Sequence, residues 1–305
     1  MKAAIIAASR NLRVVDSPKA EPAGHQIRVR LEGCGVCASN LPVWEGRPWF
    51  SYPLESGAPG HEGWGVVDSV GQHVDDVRPG DRVAFLSNRA YAEFDVTDAW
   101  VRLPPELDGR RFPGEALGCA MNIFRRADIR DGQTVAVIGA GWLGNLVIQL
   151  AKSAGAHVIA ISRRESARDI ARACGADGVL SLDEAAGIGN IERVIECVGA
   201  QNALDVAAQI IGERGRLVIA GYHQDGLRQI DMQKWNWLGI DVINAHERNP
   251  RNYLRGIEEA IDAVIAGRID PEPLLTHTYA LDELDRALND VAERPGNFIK
   301  GAVLF

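Results

Sequence analysis

The chain has 305 residues, 46% hydrophobic and 24% charged. That length suits about two domains of roughly 150 residues each, and the balance excludes a disordered or fibrous protein. Acidic residues outnumber basic ones 41 to 33 for a formal charge of −8, so the net field repels nucleic-acid phosphates and anionic lipid, and no run of Lys and Arg offers a local basic face. The five cysteines, Cys34, Cys37, Cys119, Cys174 and Cys197, are too few and too scattered for a disulfide framework and fit a reducing cytosol. No segment supplies the about 18 clean apolar residues of a membrane span: three glycines, Asn145 and Gln149 interrupt the best stretch, Val135 to Ala151. The opening MKAAIIAASR reads as a strand and not as a signal peptide.

From the N-terminus, Ala3 to Ala7, Gln26 to Glu32, Gly63 to Val70, Arg82 to Leu86 and Ala90 to Val96 read as short strands. Gly71, Pro79-Gly80-Asp81 and Pro104-Pro105 supply the turns. After about residue 113 the pattern becomes strands alternating with helices. Val135 to Ile138, His157 to Ile161, Val179 to Leu180, Arg193 to Cys197 and Arg216 to Ala220 are short and rich in Val and Ile. Asn145 to Ala154, Glu165 to Cys174 and Asn202 to Ile211 have helix length. Such alternation predicts a parallel sheet covered on both faces. Tyr253 to Ala266 carries apolar residues at helical spacing and is stopped by Pro271 and Pro273. A short helix near Asp282 to Val291 and a strand Phe298 to Leu304 close the chain and are expected to return to the first domain.

Gly139-Ala140-Gly141-Trp142-Leu143-Gly144 follows one strand and opens a helix. In that context a G-x-G-x-x-G holds a dinucleotide: the first glycine turns the chain, the second admits the pyrophosphate to the backbone, and the third lets helix pack on strand. The helix N-terminus then presents unpaired N–H groups to the anion. The next strand runs into Ser162-Arg163-Arg164 where an NAD-binding chain places an acid to read the ribose. A hydroxyl and two guanidinium groups suit a 2′-phosphate instead, which predicts NADP(H). Val198 and Gly221, after the fourth and fifth strands, complete the expected cofactor set.

Cys37, His61 and Glu62 offer a thiolate, an imidazole and a carboxylate, a mixture that suits zinc. Taken singly, each also has an ordinary reading: a small core residue, a turn histidine and a surface acid. Together with the glycine loop, the order Gly35-Val36-Cys37-Ala38-Ser39-Asn40, Gly60-His61-Glu62-Gly63, Gly80-Asp81-Arg82-Val83 and Tyr91-Ala92-Glu93-Phe94 resembles the zinc-dependent medium-chain alcohol and polyol dehydrogenases over essentially the whole chain. The resemblance implies an α/β protein with a GroES-like, β-rich catalytic domain over residues 1–112. A doubly wound Rossmann NADP-binding domain would follow over 113–270, with a returning segment over 271–305. It also implies one catalytic zinc in a cleft, held by Cys37 and His61, with Glu62 either a ligand or a carboxylate that exchanges with substrate or water.

The remaining ligand position has two candidates. Glu115-Ala116-Leu117-Gly118-Cys119, followed by Arg125-Arg126, matches the polyol register and puts Glu115 in place, although Ala116 replaces a proline; the alcohol dehydrogenase register would use Cys119. We favour Glu115. Only seven residues separate Val83 from Tyr91 and none is cysteine, so the family's structural zinc lobe is absent. Asn40 stands where the family has an aspartate supporting the zinc shell. Ser39 matches the proton-relay hydroxyl, and Pro42 replaces the histidine that extends the relay in some relatives. Trp44, Trp49 and Phe50 either wall a substrate pocket or pack the small domain. Asp241 to Asn244 resembles the edge strand through which relatives form dimers or tetramers. Two rival activities stay open at this point: a metal-free enone or quinone reductase, and an NADPH-binding regulator without turnover.

Overall fold

The computed structural model describes residues 1–305. They form two compact units: Met1–Gly118 with Asn249–Ile265 and Glu272–Phe305, and Cys119–Arg248 with Ala266–Pro271.

The first unit begins with β1 (Lys2–Ala8), β2 (Asn11–Asp16) and β3 (Ile27–Val36), followed by a 3-10 turn over Ala38–Asn40 and helix α1 (Leu41–Glu45). Strands β4 (Glu62–Val70), β5 (Arg82–Phe85), β6 (Phe94–Thr97) and β7 (Trp100–Arg102) follow, and then helix α2 (Gly114–Ala127) starts. The expected strand over Ala90 to Val96 is shorter than its sequence suggests. Its first half spends its N–H groups elsewhere: Ala90 donates to the Gly60 carbonyl and Tyr91 to that of Gly57.

The second unit carries β8 (Thr134–Ile138), α3 (Trp142–Ser153), β9 (His157–Ile161), α4 (Glu165–Ala173), β10 (Gly178–Leu180), α5 (Leu182–Ala185), β11 (Ile191–Glu196), α6 (Gln201–Ile210), β12 (Ile211–Ile219), α7 (Met232–Leu238) and β13 (Asp241–Asn244). Its six strands are all parallel, in the order β10-β9-β8-β11-β12-β13. The strand order therefore reverses between β8 and β11, which makes the crevice outside their carboxyl ends the place for a dinucleotide. Val135, Val137, Val158 and Ala160 are fully buried on one side of this sheet, and Ala136, Ile138 and Val194 on the other. Alternating strand residues pack opposite faces, so a sheet covered twice reads as continuous apolar runs.

The chain then returns to the first unit through α8 (Pro250–Ile265), β14 (His277–Tyr279), α9 (Leu284–Glu293) and β15 (Gly301–Leu304). Helix α8, which the expected nucleotide domain over 113–270 would include, clusters with the first unit. A Cβ on its Gly256 would come 2.8 Å from the Gly118 carbonyl oxygen, so two glycines let α8 and α2 touch backbone to backbone. β15 pairs with β3, antiparallel, and the large sheet runs β14-β15-β3-β4-β5-β7 with β6 also on β3. Leu284, Ala287, Leu288 and Val291 of α9 join Ile27, Leu31, Trp44, Phe85 and Tyr91 in the buried core of this unit.

Candidate active site

Three strands of the large sheet bring sequence-remote residues to one sheet end. The antiparallel register pairs Gly35 with Glu62 and Val36 with Gly301. Cys37, just past the end of β3, therefore lies near Glu62 at the start of β4 and Lys300 just before β15. Donor atoms of Cys37, His61 and Glu62 all fall within 4.8 Å of one another. Four donors at zinc-ligand distances of about 2.0–2.3 Å in a tetrahedron stand roughly 3.3–3.8 Å apart, so a modest contraction closes this set on a metal ion.

One orphaned atom supports that fit. Glu62 is 1% exposed; its Oε1 accepts from Lys300 Nζ at 2.6 Å, while its Oε2 is buried with no hydrogen-bond partner. A buried carboxylate oxygen without a donor is costly, and a cation bound between the three side chains would supply the missing partner. A Cβ on Gly35 would collide with Oε2, so glycine there keeps room for the carboxylate.

His61 Nδ1 lies 2.9 Å from the Pro59 carbonyl oxygen and donates its proton there, which turns the Nε2 edge toward Ser39 Oγ at 3.4 Å and the Cys37 side. Burial opposes a charged imidazole. The hydrogen bond and charge of Cys37, with the Glu115 and Glu62 carboxylates, outweigh it and push the His61 pKa up to about 10. Ser39 Oγ also donates to Cys37 Sγ at 3.2 Å. Asn40 is 2% exposed, accepts from Tyr91 Oη at 2.7 Å and donates to the Pro59 carbonyl at 3.2 Å. The partner of His61 Nδ1 is thus a backbone carbonyl to which Asn40 also donates, in place of a carboxylate.

Sequence reasoning missed Lys300, which gives no local motif and lies 238 residues from Glu62. Burial disfavours its ammonium, yet Glu62, Cys37 and Glu115 overcome that and hold its pKa above the ordinary lysine value. Glu115, in the first turn of α2, stands outside the cluster of three donors but acts on both His61 and Lys300 through its charge. Cys34 is fully buried and burial raises its thiol pKa well above normal, as expected of a packing residue. Of the two roles open to Trp44, the packing one fits its surroundings: it is 2% exposed in the core and its Nε1 donates to Asn289 Oδ1 at 3.3 Å. Phe50 packs against the same core, and Trp49 is 60% exposed.

In the second unit, the glycine loop follows β8 and opens α3. Gly139 has φ +99°, and a Cβ there would approach Val198 Cγ2 to 2.7 Å. A Cβ on Gly144 would collide with the Gly139 carbonyl oxygen. Trp142 starts α3 and is nearly buried, with Leu143 half-buried behind it. Asn145, also missed, is fully buried and donates to the carbonyls of Ala140 and Gly141 at 3.1 and 2.9 Å, clamping the loop.

At the end of β9, Ser162 is buried, Arg163 exposed and Arg164 half-buried at the N-cap of α4. Burial and the like charge of Arg163 lower the Arg164 pKa. Arg168 donates to the Ser162 and Arg163 carbonyls at 2.9 and 3.0 Å and fixes the turn. Val198, 46% exposed, and Gly221 lie beyond β11 and β12.

Comparison with known proteins agrees with both halves. The family model for the alcohol dehydrogenase GroES-like domain matches residues 23–102, and that for the zinc-binding dehydrogenase domain matches residues 143–262. The chain belongs to the medium-chain alcohol/polyol dehydrogenase family. It is an oxidoreductase of that type. A sorbitol dehydrogenase of Halalkalibacterium halodurans is 24% identical over 94% of each chain. A cobalt- and zinc-bound thermostable alcohol dehydrogenase from Pyrobaculum aerophilum shares 26% identity with a TM-score of 0.87, over 100% of this chain and 99% of the other. A zinc-binding dehydrogenase of Sinorhizobium meliloti solved with NADP has the same fold, with a TM-score of 0.85 and 24% identity over 100% of this chain and 99% of the other.

Proposed function

We propose that the protein is a zinc-dependent dehydrogenase that moves hydride between NADP(H) and an alcohol or polyol, or its aldehyde or ketone. The observation that carries this reading is the convergence of Cys37, His61 and Glu62 within 4.8 Å around a buried carboxylate oxygen that lacks a partner. One zinc would sit there, with Glu115 completing the set directly or through water. A zinc with an open position supplies Lewis-acid polarisation of an alcohol or carbonyl oxygen.

The chain's own residues do the rest. Lys300 neutralises one of the carboxylates that the metal attracts, so three anionic donors are not left to a single dication. Ser39 bridges Cys37 and the His61 ring edge, where its hydroxyl can take a proton from a substrate oxygen and hand it to water. Gly139, Gly141 and Gly144 with the α3 N-terminus hold the pyrophosphate, and Ser162, Arg163 and Arg164 the 2′-phosphate. The NADP found in the Sinorhizobium meliloti relative agrees with that preference. The exposed edge of β13 would pair with a second copy in a homodimer or homotetramer.

Metal analysis after zinc-supplemented expression, followed by specificity constants for NADP(H) and NAD(H) across an alcohol and carbonyl panel, tests the reading. One zinc per chain and an NADP(H) preference support it. Turnover of enones without metal would establish the metal-free reductase, and cofactor binding with no turnover the regulator.

A further inference from the structure

Glu196, the last residue of β11, is fully buried in the second unit and has no part in the scheme above. Both its oxygens are occupied. Oε1 accepts from the backbone N–H of Val198 at 2.7 Å and of Gly199 at 2.8 Å. Oε2 lies 2.9 Å from His223 Nε2.

The histidine is itself held in one tautomer. Arg228 Nε donates to His223 Nδ1 at 2.8 Å, and because a guanidinium N–H only donates, Nδ1 must present its lone pair. Nε2 therefore carries the proton and donates to Glu196. The same guanidinium donates through Nη2 to the Gly199 carbonyl at 2.9 Å and pairs with Asp225. Both side chains are mostly buried, at 16% and 15% exposure. Two glycines allow this closeness: a Cβ on Gly221 would approach Glu196 Oε2 to 2.7 Å, and one on Gly199 would approach the Tyr222 carbonyl oxygen to 2.6 Å. Gln201 adds a second tie, donating to the Gln229 carbonyl at 2.8 Å and accepting from the Gln229 N–H at 2.9 Å.

The result is a hydrogen-bonded chain that locks residues 197–200 to residues 221–229, the segments leaving the carboxyl ends of β11 and β12. In a doubly wound sheet each half binds one mononucleotide, and the strand order here reverses between β8 and β11. The adenosine half then belongs to the β8 and β9 side, with its glycine loop and arginines. The other half belongs to β11 and β12, where Val198 is left exposed.

We propose that His223 and Arg228 are positioning residues for the nicotinamide half of the cofactor: through Glu196 they fix the backbone around Val198 against which the ring lies. The inference rests on the dinucleotide reading of the site.

The test compares wild type with His223→Leu, His223→Gln and Arg228→Met. Three quantities are measured for each: thermal midpoint, NADPH affinity and emission by fluorescence titration, and affinity for 2′,5′-ADP, which has the adenosine end and no nicotinamide. His223→Leu and Arg228→Met are expected to weaken NADPH by about 10-fold, as for a lost set of ordered hydrogen bonds, and to shift the emission of bound NADPH. The affinity for 2′,5′-ADP should stay within about twofold. His223→Gln keeps an amide donor near the Nε2 position and should recover most of the NADPH affinity. Equal losses for both ligands, or unchanged NADPH binding in folded variants, would overturn the proposal. So would failure of both His223→Leu and Arg228→Met to fold, which would make the chain a structural clasp alone. A wild-type protein that binds neither ligand sinks the dinucleotide reading itself, a result distinct from all of these.

Discussion

Lys300→Met tests the buried pair beside the proposed metal site. Methionine keeps much of the lysine stem's volume and removes only the cation. Lys300 and Glu62 are 5% and 1% exposed, and Glu62 Oε2 already has no partner, so the substitution leaves a buried carboxylate with neither oxygen satisfied. Removing one member of a buried ion pair typically costs about 3–5 kcal/mol. At about 2–4 °C per kcal/mol for a unit of 150–250 residues, that lowers the thermal midpoint of the metal-free protein by on the order of 10 °C.

The assay is denaturation of chelator-stripped protein for wild type, Lys300→Met, Glu62→Gln and the double variant. A double-mutant cycle isolates the pair, and the double variant, with no charge left to strand, should be more stable than Lys300→Met alone. Adding zinc gives an independent arm. Ligand that binds the native state stabilises it by mass action, and in Lys300→Met the zinc also supplies the cation that Glu62 lost, so zinc should raise the midpoint of this variant more than that of wild type. A metal-free Lys300→Met within about 1 kcal/mol of wild type, or additive effects in the cycle, would refute the argument that Lys300 is what keeps Glu62 tolerable in the absence of metal.

Arg163→Ala should lower the specificity constant for NADP(H) by about 10-fold or more, the value of a charge-assisted contact, and leave that for NAD(H) nearly unchanged; equal effects on the two cofactors would argue against a 2′-phosphate site. Metal analysis should find one zinc per chain, and two tightly held ions would contradict the missing cysteine lobe. Glu115→Ala should weaken zinc retention or turnover by about 10- to 100-fold while Cys119→Ala leaves both nearly intact, with the reverse order returning the site to the alcohol dehydrogenase register. Gly35→Ala places a methyl group against Glu62 Oε2 and should reduce bound zinc in purified protein; full retention would mean the carboxylate can turn away from the metal without loss.

Legibility in the sequence followed the distance over which each signal acts. The glycine loop could be read because its three glycines and the strand and helix around it form one continuous stretch, Thr134 to Ser153, and each glycine answers a local steric demand that the structure bears out at Gly139 and Gly144. The alternation of strands and helices gave the doubly wound sheet for the same reason, since burial on both faces leaves apolar runs such as Thr134–Ile138 and His157–Ile161. Cys37 and His61-Glu62 were legible only as a pattern of residue types carried by a resemblance. What makes them neighbours is the antiparallel register of β3 and β4, which no local spacing encodes.

The residues that escaped are those whose partners are far away or whose role depends on what surrounds them. Lys300 reads as a surface charge until β15 is laid against β3. Glu196 lies inside an expected strand and His223 and Arg228 beyond the next one, with no motif to join them until β11 and β12 are set side by side. Trp44 stayed open between pocket wall and core because an aromatic between two ligand segments suits either role; its contact to Asn289, 245 residues away, is invisible to local reading. Lys300, Glu196, His223 and Arg228 are polar groups buried or mostly buried in the fold. Burying such atoms is costly unless each finds its partner, so these groups are held in one arrangement by partners far away in sequence, and both the cluster of Cys37, His61 and Glu62 and the expected nicotinamide face lie beside them.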